Sequence, residues 1–314
     1  LNVDKILDVA KKAGADAIHP GYGFLAENAS FAQRCLDAGL TYIGPSPKII
    51  AEMGSKIKAK AAAEKAGVSV VPGYHSDEQS DKILLAEAAH VGLPLLIKAS
   101  AGGGGRGMRR VNDLNEFMIR LQLARKEAKS AFGDGAVLLE RYIENARHIE
   151  VQVLADGSGA ALHLYERDCS IQRNHQKLIE EAPAPNLPDE VRTALLEAAV
   201  RLTRSINYNS LGTVEFLYDP KAQDFFFIEM NTRLQVEHPV TELVTGIDLV
   251  EWQIRIAAGE NIPFTQDDIT CTGWAMEARV SAEDASNGFC PQTGTLILYN
   301  EPTGKNIRID SGVK

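Results

Sequence analysis

Cysteine is sparse in this sequence. The four present in 314 residues (Cys35, Cys169, Cys271 and Cys290) lie far apart and form no CxxC pair. A structural zinc site and a dense disulfide framework are thereby disfavoured, and the usage points to a reducing, cytosolic-type compartment. Long apolar runs are missing too: none approaches the roughly 20 residues needed to cross a bilayer, which speaks against a membrane protein. Positive charge is in deficit, with 33 Lys and Arg against 42 Asp and Glu and a formal net charge of −9. That balance argues against a nucleic-acid-binding surface. No charged-then-apolar leader is visible, since Leu1 leads directly into a helix-like pattern with Ile6, Leu7 and Val9 apolar. Internal repeats and low-complexity segments are absent. A chain that starts without Met and ends at SGVK is expected to be part of something longer.

What is present is ordinary globular composition, 45% apolar and 24% charged, on a length that accommodates two or three domains. The first third alternates signals. NVDKILDVAKKAG reads as helix, ADAIHPGYG as strand and turn, FAQRCLDAG as helix, LTYIG as strand, and two helices follow to Gly67. This is the α/β pattern of a parallel sheet with packed helices. From about Val70 to Tyr142 the order is strand, helix, strand (LPLLIKAS), Gly-rich loop, short strand (GMRRV), long helix and strand (AVLLERYI), a compact α+β unit. Strand signals then dominate: HIEVQVLAD, GAALHLYERD, GTVEFLYD, DFFFIEMN and GWAMEARVSAE. Helices at DEVRTALLEAAVRLTRSI and DLVEWQIRIAAGE interrupt them.

Three stretches carry chemistry. In TVEFLYDPKAQDFFFIEMN, two β-rich runs flank a turn-like DPKAQ, so an antiparallel hairpin is expected. A turn centred near Ala222 sets Glu215 opposite Glu229 and Thr213 opposite Asn231. Like charges facing each other destabilise a hairpin, so a shared proton, a nearby base or a cation must intervene. Two carboxylates and an amide oxygen suit Mg²⁺; an ion pair with Arg233 or another base remains the structural alternative. The alternation continues through EMNTRLQVEH, which, if extended, lines up Glu229, Asn231, Arg233, Gln235 and Glu237 on one face.

The second stretch is LLIKASAGGGGRGM. Lys98 ends a strand and is followed by four glycines and Arg106. A glycine run alone reads as a flexible loop; backbone N–H groups flanked by a Lys and an Arg read as a phosphate cradle. It is not a Walker A sequence, because the Lys precedes the glycines. The third, ERDCSIQRNHQKLIEEAPAP, sets His175 among Arg173, Gln176 and Lys177. Taken alone it reads as a solvated charged loop; beside the others it becomes anion-facing. Positive groups and backbone donors for polyphosphate, with carboxylates for the accompanying metal, are the division of labour of phosphoryl transfer. Arg233 can fork onto a small planar oxyanion and Glu237 can accept a proton.

The run of HPGYGFLAEN, IGPSP, KASAGGGGRGM, RHIEVQVLAD, ERDCSIQRNHQK, EEAPAP and FIEMNTRLQVEHPVTE, in that order, resembles the biotin carboxylases of the ATP-grasp superfamily over nearly the whole chain. The resemblance implies a mixed α/β and α+β fold. A partial N-terminal parallel, Rossmann-like α/β domain would occupy 1–45 and a helical linker 46–69. A small lid would occupy 70–142, and the mainly antiparallel catalytic sheet domain with the start of a C-terminal domain 143–314. It implies that Lys56, Lys98, Gly104, Gly105, His148 and His175 contact ATP, and that Glu140, Arg141, Tyr142 and Ile143 line the adenine pocket with Leu217 nearby. Glu215, Glu229 and Asn231 would hold Mg²⁺ or Mn²⁺. Lys177, Arg233, Gln235 and the Val236 backbone would hold bicarbonate, Glu237 would deprotonate it, and Arg279 would stabilise a biotin enolate.

The implied reaction is ATP- and bicarbonate-dependent carboxylation of biotin borne on a carrier domain, ahead of a carboxyltransferase, in a homodimer of the cytoplasm or mitochondrial matrix. No AMKM-like biotin attachment site is found. The pattern departs at Ala101, where many members have Gly, and at Arg141, where Lys is common. A carbamoyl-phosphate synthetase-like ligase shares the carboxyphosphate chemistry, but RDCSIQRNHQK and QVEHPVTE favour the biotin reading. A non-catalytic nucleotide-binding module would have lost the acceptor residues Lys177, Arg233, Gln235, Glu237 and Arg279, all of which are present. The tail resembles propionyl-type acyl-CoA carboxylases.

Overall fold

The computed structural model describes residues 1–101 and 107–313. The chain divides into two compact units, residues 1–278 and 279–314. In the first unit, helix α1 (Val3–Ala13) starts where the Asn2 side chain accepts from Lys5 N and stops at Gly14, whose φ of 66° is left-handed. Strands β1 (Ala17–Ile18) and β2 (Thr41–Tyr42) pair in parallel around α2 (Ala29–Asp37), a remnant-sized version of the expected parallel sheet. Their core is Leu7, Ala10, Phe31, Ala32, Cys35, Leu40, Tyr42 and Ile50. Two capped helices follow, α3 (Pro47–Met53) after Ser46 and α4 (Lys56–Lys65) after Ser55.

Next come β3 (Gly73–Tyr74), α5 (Asp81–Val91), β4 (Leu95–Ala99), β5 (Arg109–Val111), α6 (Phe117–Phe132) and β6 (Val137–Arg141). The strands form an antiparallel sheet in the order β3-β6-β4-β5. Alternate residues Leu95, Ile97, Val137 and Leu139 pack with Leu84 of α5 and Phe117 and Leu121 of α6, all fully buried. This small sheet therefore has a core of its own, as the period-2 pattern of LPLLIKAS demands.

The remainder of the unit is built on β7 (Arg147–Asp156), β8 (Ala161–Arg173), β9 (Gln176–Ala182), α7 (Asp189–Ser205), β10 (Asn209–Asp219), β11 (Asp224–Asn231), α8 (His238–Thr245), α9 (Leu249–Ala257) and β12 (Ala275–Ala278). Six strands make an antiparallel sheet in the order β11-β10-β7-β8-β9-β12. Ile149, Val151 and Val153 of β7 and Val214 and Phe216 of β10 share a buried cluster with Leu195, Ala199 and Leu202 of α7. Between them Glu150 and Gln152 of β7 and Thr213 and Glu215 of β10 are polar and face the other way.

Three expectations are corrected. ERDCSIQRNHQK is not a loop: it is the end of β8, a tight turn and β9, with Arg173 paired to Gln176. Asn174 and His175 have φ of 51° and 63°, two successive left-handed residues as a two-residue hairpin turn requires. The strand expected through EMNTRLQVEH ends at Asn231. Beyond it the chain bends and enters α8, which Pro239 starts in the first turn. Of GWAMEARVSAE, Ala275–Ala278 pairs as an edge strand on β9, and the strand does not run on through the rest: only its last residue, Glu283, pairs again, in a separate short strand. In the second unit, β13 (Glu283–Asp284) pairs antiparallel with β14 (Cys290–Pro291) around a short 3₁₀ turn. Among the described residues no helix is long and apolar enough to cross a membrane.

Candidate active site

The polar face of the six-stranded sheet is organised in rows across strands. Register sets Arg167 of β8 opposite Glu150 of β7, Glu150 opposite Glu215 of β10, and Glu215 opposite Glu229 of β11. One step along, Gln152, Thr213 and Asn231 make a second row, and on the other side His148 lies opposite Leu217. The hairpin register therefore matches the expectation at both Glu215–Glu229 and Thr213–Asn231. A bulge directly after Glu215 shifts the remaining pairs by one residue, so Phe216 faces Phe227.

Lys177, from β9, reaches across this face. Its ammonium donates to Glu150, to Glu215 Oε1 at 2.8 Å and to Glu237 Oε1 at 2.7 Å. Glu215 Oε1 also accepts from Asn231 Nδ2 (2.7 Å) and Gln235 Nε2 (3.0 Å), while His148 Nε2 lies 3.1 Å from Glu215 Oε2. Beneath them sits Arg167, fully buried. It donates to Glu150 Oε1 (2.7 Å), Gln152 Oε1 (2.7 Å), Thr241 Oγ1 (2.9 Å), Thr213 Oγ1 (3.2 Å) and Gln235 Oε1 (3.0 Å). Burying this many charges is tolerable only because each is paired and hydrogen-bonded.

The electrostatics follow. Burial opposes charge on Glu215, but Lys177 and His148 overcome it and hold the carboxyl down at about 2. Glu150 is likewise held well below its usual range, against burial, by Lys177 and Arg167. Burial would neutralise His148, yet Glu215 and Glu150 raise it to about 9. Burial and the charge of Glu150 push the Cys169 thiol well up, so it stays protonated and is no nucleophile.

A second cluster lies where α4 meets β4 and β6. Glu140 binds Lys60 through Oε1 at 2.7 Å and Lys98 through Oε2, and His75 Nε2 lies 3.8 Å from Oε1. Burial opposes ionisation of Glu140, but Lys98 and Lys60 bring it to about 2. Burial, with the two lysines, depresses His75 to about 4. Tyr142, further along the same segment as Arg141 and Ile143, carries the Arg110 guanidinium stacked 4.1 Å from its ring centroid.

The sequence-predicted residues fall into distinct places. His148, Lys177, Glu215, Asn231, Gln235 and Glu237 meet in one network. Leu217 flanks it in the row of His148, and the half-exposed Val236 stands in the turn before α8. Arg233 borders the network, its Nη2 3.4 Å from Asn231 Oδ1 and its Nε donating to Glu27 Oε2 at 3.0 Å. Glu229 pairs with Lys56 at 3.1 Å. His175 stands at the hairpin tip, largely open to solvent, its pKa lowered by partial desolvation and by the charge of Lys98. Arg279 opens the second unit. Gly104 and Gly105, with Arg106, lie outside the described residues.

Glu215, Glu229 and Asn231 present hard oxygen donors from adjacent positions of one face, a set that suits Mg²⁺ or Mn²⁺, and cationic side chains neutralise both carboxylates. Sequence reasoning missed Glu150, Gln152, Arg167, Lys60 and Glu27. The signal for the first three was present in the alternation of HIEVQV and in a charged ERD inside an apolar strand. For Lys60 and Glu27 there was none.

Residues 55–265 match the family described as carbamoyl-phosphate synthase L chain, ATP binding domain, and residues 1–50 match the biotin carboxylase N-terminal domain. The chain is 53% identical to the mitochondrial methylcrotonoyl-CoA carboxylase subunit alpha of Rattus norvegicus, all of it aligning with 44% of that protein's length. It is 51% identical to biotin carboxylase 2 of Bacillus subtilis, all of it aligning with 70% of that protein. Two solved structures superpose closely. The biotin carboxylase domain dimer of Hydrogenobacter thermophilus 2-oxoglutarate carboxylase, in complex with MgADP, ADP and bicarbonate, gives a TM-score of 0.93 at 50% identity over 97% of this chain and 67% of that one. A Campylobacter jejuni biotin carboxylase complex with a β,γ-ATP ligand gives 0.95 at 46% identity over 98% and 68%.

Proposed function

The chain belongs to the biotin carboxylase family and has its ATP-grasp fold, and from that premise we propose that it catalyses the ATP- and bicarbonate-dependent carboxylation of biotin. The observation that carries this is the approach of Lys177 to Glu237 at 2.7 Å, with Gln235 and Arg233 on the same chain segment. A fixed ammonium, an amide, a guanidinium and the Val236 backbone suit a small planar anion, and Glu237 stands beside them as its base.

In this reading a bicarbonate oxygen attacks the γ-phosphorus of ATP while Glu237 takes the bicarbonate proton, giving carboxyphosphate and ADP. Lys177 offsets the negative charge that develops. Lys56, Lys98, His148, His175, Gly104 and Gly105 serve the nucleotide, with residues 140–143 and Leu217 at the base. Glu215, Glu229 and Asn231 would hold Mg²⁺ or Mn²⁺, which would supply charge neutralisation at the phosphates. Lys56, paired with Glu229, stands beside that set. Carboxyphosphate then breaks down to CO₂ and phosphate, the phosphate takes the N1′ proton of carrier-bound biotin, and the resulting enolate captures CO₂ at N1′. Arg279 serves the biotin side. The β3-β6-β4-β5 sheet, as a lid over roughly 70–142, keeps water from the labile intermediate.

The whole protein is proposed to work with a biotin carrier and a carboxyltransferase, as a homodimer like the domain dimer of the Hydrogenobacter enzyme, in the cytoplasm or mitochondrial matrix. The mitochondrial name of the rat relative and the bacterial origin of the Bacillus one support those two compartments. Methylcrotonoyl-CoA and pyruvate carboxylase subunits match at 53% and 50% identity; relatives with different acceptors are this similar, so acceptor choice resides elsewhere.

Phosphate release from MgATP with bicarbonate, with and without free biotin, tests the reading. Strong stimulation by biotin is expected. Bicarbonate-dependent release indifferent to biotin would favour a carbamoyl-phosphate type of ligase and remove the role given to Arg279.

A further inference from the structure

Lys60 has no part in the chemistry above, yet it is among the most deeply buried side chains in the molecule, 1% exposed. A lysine carries that position only if its charge is met. Burial lowers its pKa, and the charge of Glu140 offsets only part of that lowering, to which Lys98 adds. Its ammonium binds Glu140 Oε1 at 2.7 Å and donates to the backbone oxygen of Phe227, on β11, at 3.3 Å. Glu140 is also 1% exposed, while Lys98, on the other carboxylate oxygen, is 13% exposed. The three form a line running outward: Lys60 at the back, Glu140 in the middle, Lys98 at the front. Register explains the front pairing, since Lys98 of β4 and Glu140 of β6 are diagonal neighbours on one face of the small sheet.

A Glu140–Lys98 pair by itself would be neutral, with the lysine's charge spent on its neighbour. Adding Lys60 makes the triad net positive, and His75, depressed to about 4, adds no further charge near neutral pH. We propose that Lys60 is a positioning residue for nucleotide binding: it neutralises Glu140 from behind, so that Lys98 stays anchored by the carboxylate while its charge remains available to a polyphosphate. Through Phe227 it also ties this triad to the central sheet that carries Glu229. The proposal rests on the ATP reading above.

The test compares MgADP affinity and thermal unfolding for the wild-type chain, K60M and K60R. The expected result is that K60M binds MgADP about tenfold more weakly or worse, the size of one charge-assisted hydrogen bond to phosphate. K60R, which keeps a cation against Glu140, should restore most of that affinity. If K60M is too unstable to assay, K60Q keeps a hydrogen bond to Glu140 without the charge and carries the same expectation. A K60M protein that is destabilised yet binds MgADP like wild type would overturn the proposal, making Lys60 structural only. A folded K60R protein as weak as K60M would overturn it too, since charge behind Glu140 would not be what the nucleotide needs. Wild-type chain that binds no adenine nucleotide would instead sink the functional reading, and this proposal with it.

Discussion

Around Lys177, three carboxylates share one ammonium; around Glu140, two ammoniums share one carboxylate. Both clusters are buried, and burial fails to neutralise Glu150 and Glu215 in one and Glu140 in the other, but their charge balances differ. In the first, Lys177, Arg167 and a protonated His148 offset the three carboxylates, so the cluster is neutral as it stands. The second is left with positive charge facing outward on Lys98, and so offers a place for phosphate. Local charge balance, rather than residue type, therefore separates a self-contained ionic cluster from one that awaits an anion. Neither cluster is a stability device alone, since a buried ion pair barely repays its desolvation.

Substitutions separate the two clusters. E237Q keeps the size and a hydrogen-bond acceptor for Lys177 but removes the base, and bicarbonate-dependent phosphate release should fall by about two to four orders of magnitude. MgADP binding, in which Glu237 has no assigned part, should persist; normal turnover in E237Q would remove the base from Glu237. R167M strands Glu150 without its buried partner, and urea unfolding should show a loss of about 3–5 kcal/mol. An unchanged midpoint would mean that the five bonds of Arg167 are dispensable. E229Q, at the junction where Lys56 meets the proposed metal site, should raise the Mg²⁺ concentration needed for turnover by about tenfold, the effect of one charged ligand.

Acid and alkali distinguish the clusters more gently. His148 is raised from 6.5 to about 9, so the stability it contributes is complete below 6.5 and is lost as pH climbs through 9. H148Q should flatten that alkaline limb in a series of unfolding curves. His75 is depressed from 6.5 to about 4, so the unfolded chain binds its proton first and stability falls as pH drops from 6.5 toward 4. H75Q should flatten that acid limb instead. Glu140 and Glu215 both sit at about 2 and lose their contributions together as pH falls below the ordinary carboxylate range, so they do not separate the clusters.

Much of the central site was legible in the order of residues alone. The hairpin pairing of Glu215 with Glu229 and Thr213 with Asn231 follows from two β-rich runs and a turn between them, because a hairpin's register is set by its own loop. The compact unit around LPLLIKAS and its helices was readable for the same reason, as was the order of motifs that marks the family. The β8–β9 hairpin was not, because its strands are rich in charge and only a paired sheet beneath them makes an extended conformation favourable. Extending the alternation past Asn231 also misled, since Pro239 starts a helix that a period-2 pattern does not foresee.

The linear chain settles the chemistry available: which strands alternate, which stretch is glycine-rich, and which carboxylates face each other across a local turn. Folding chooses their partners. Glu150 meets Glu215 only because β7 pairs with β10 some sixty residues away, Arg167 enters from a further strand, Lys60 reaches Glu140 from a different helix, and Glu27 finds Arg233 from the N-terminal segment. Periodicity is a property of neighbours along the chain, whereas the charge balance of a buried cluster is a sum over neighbours in space.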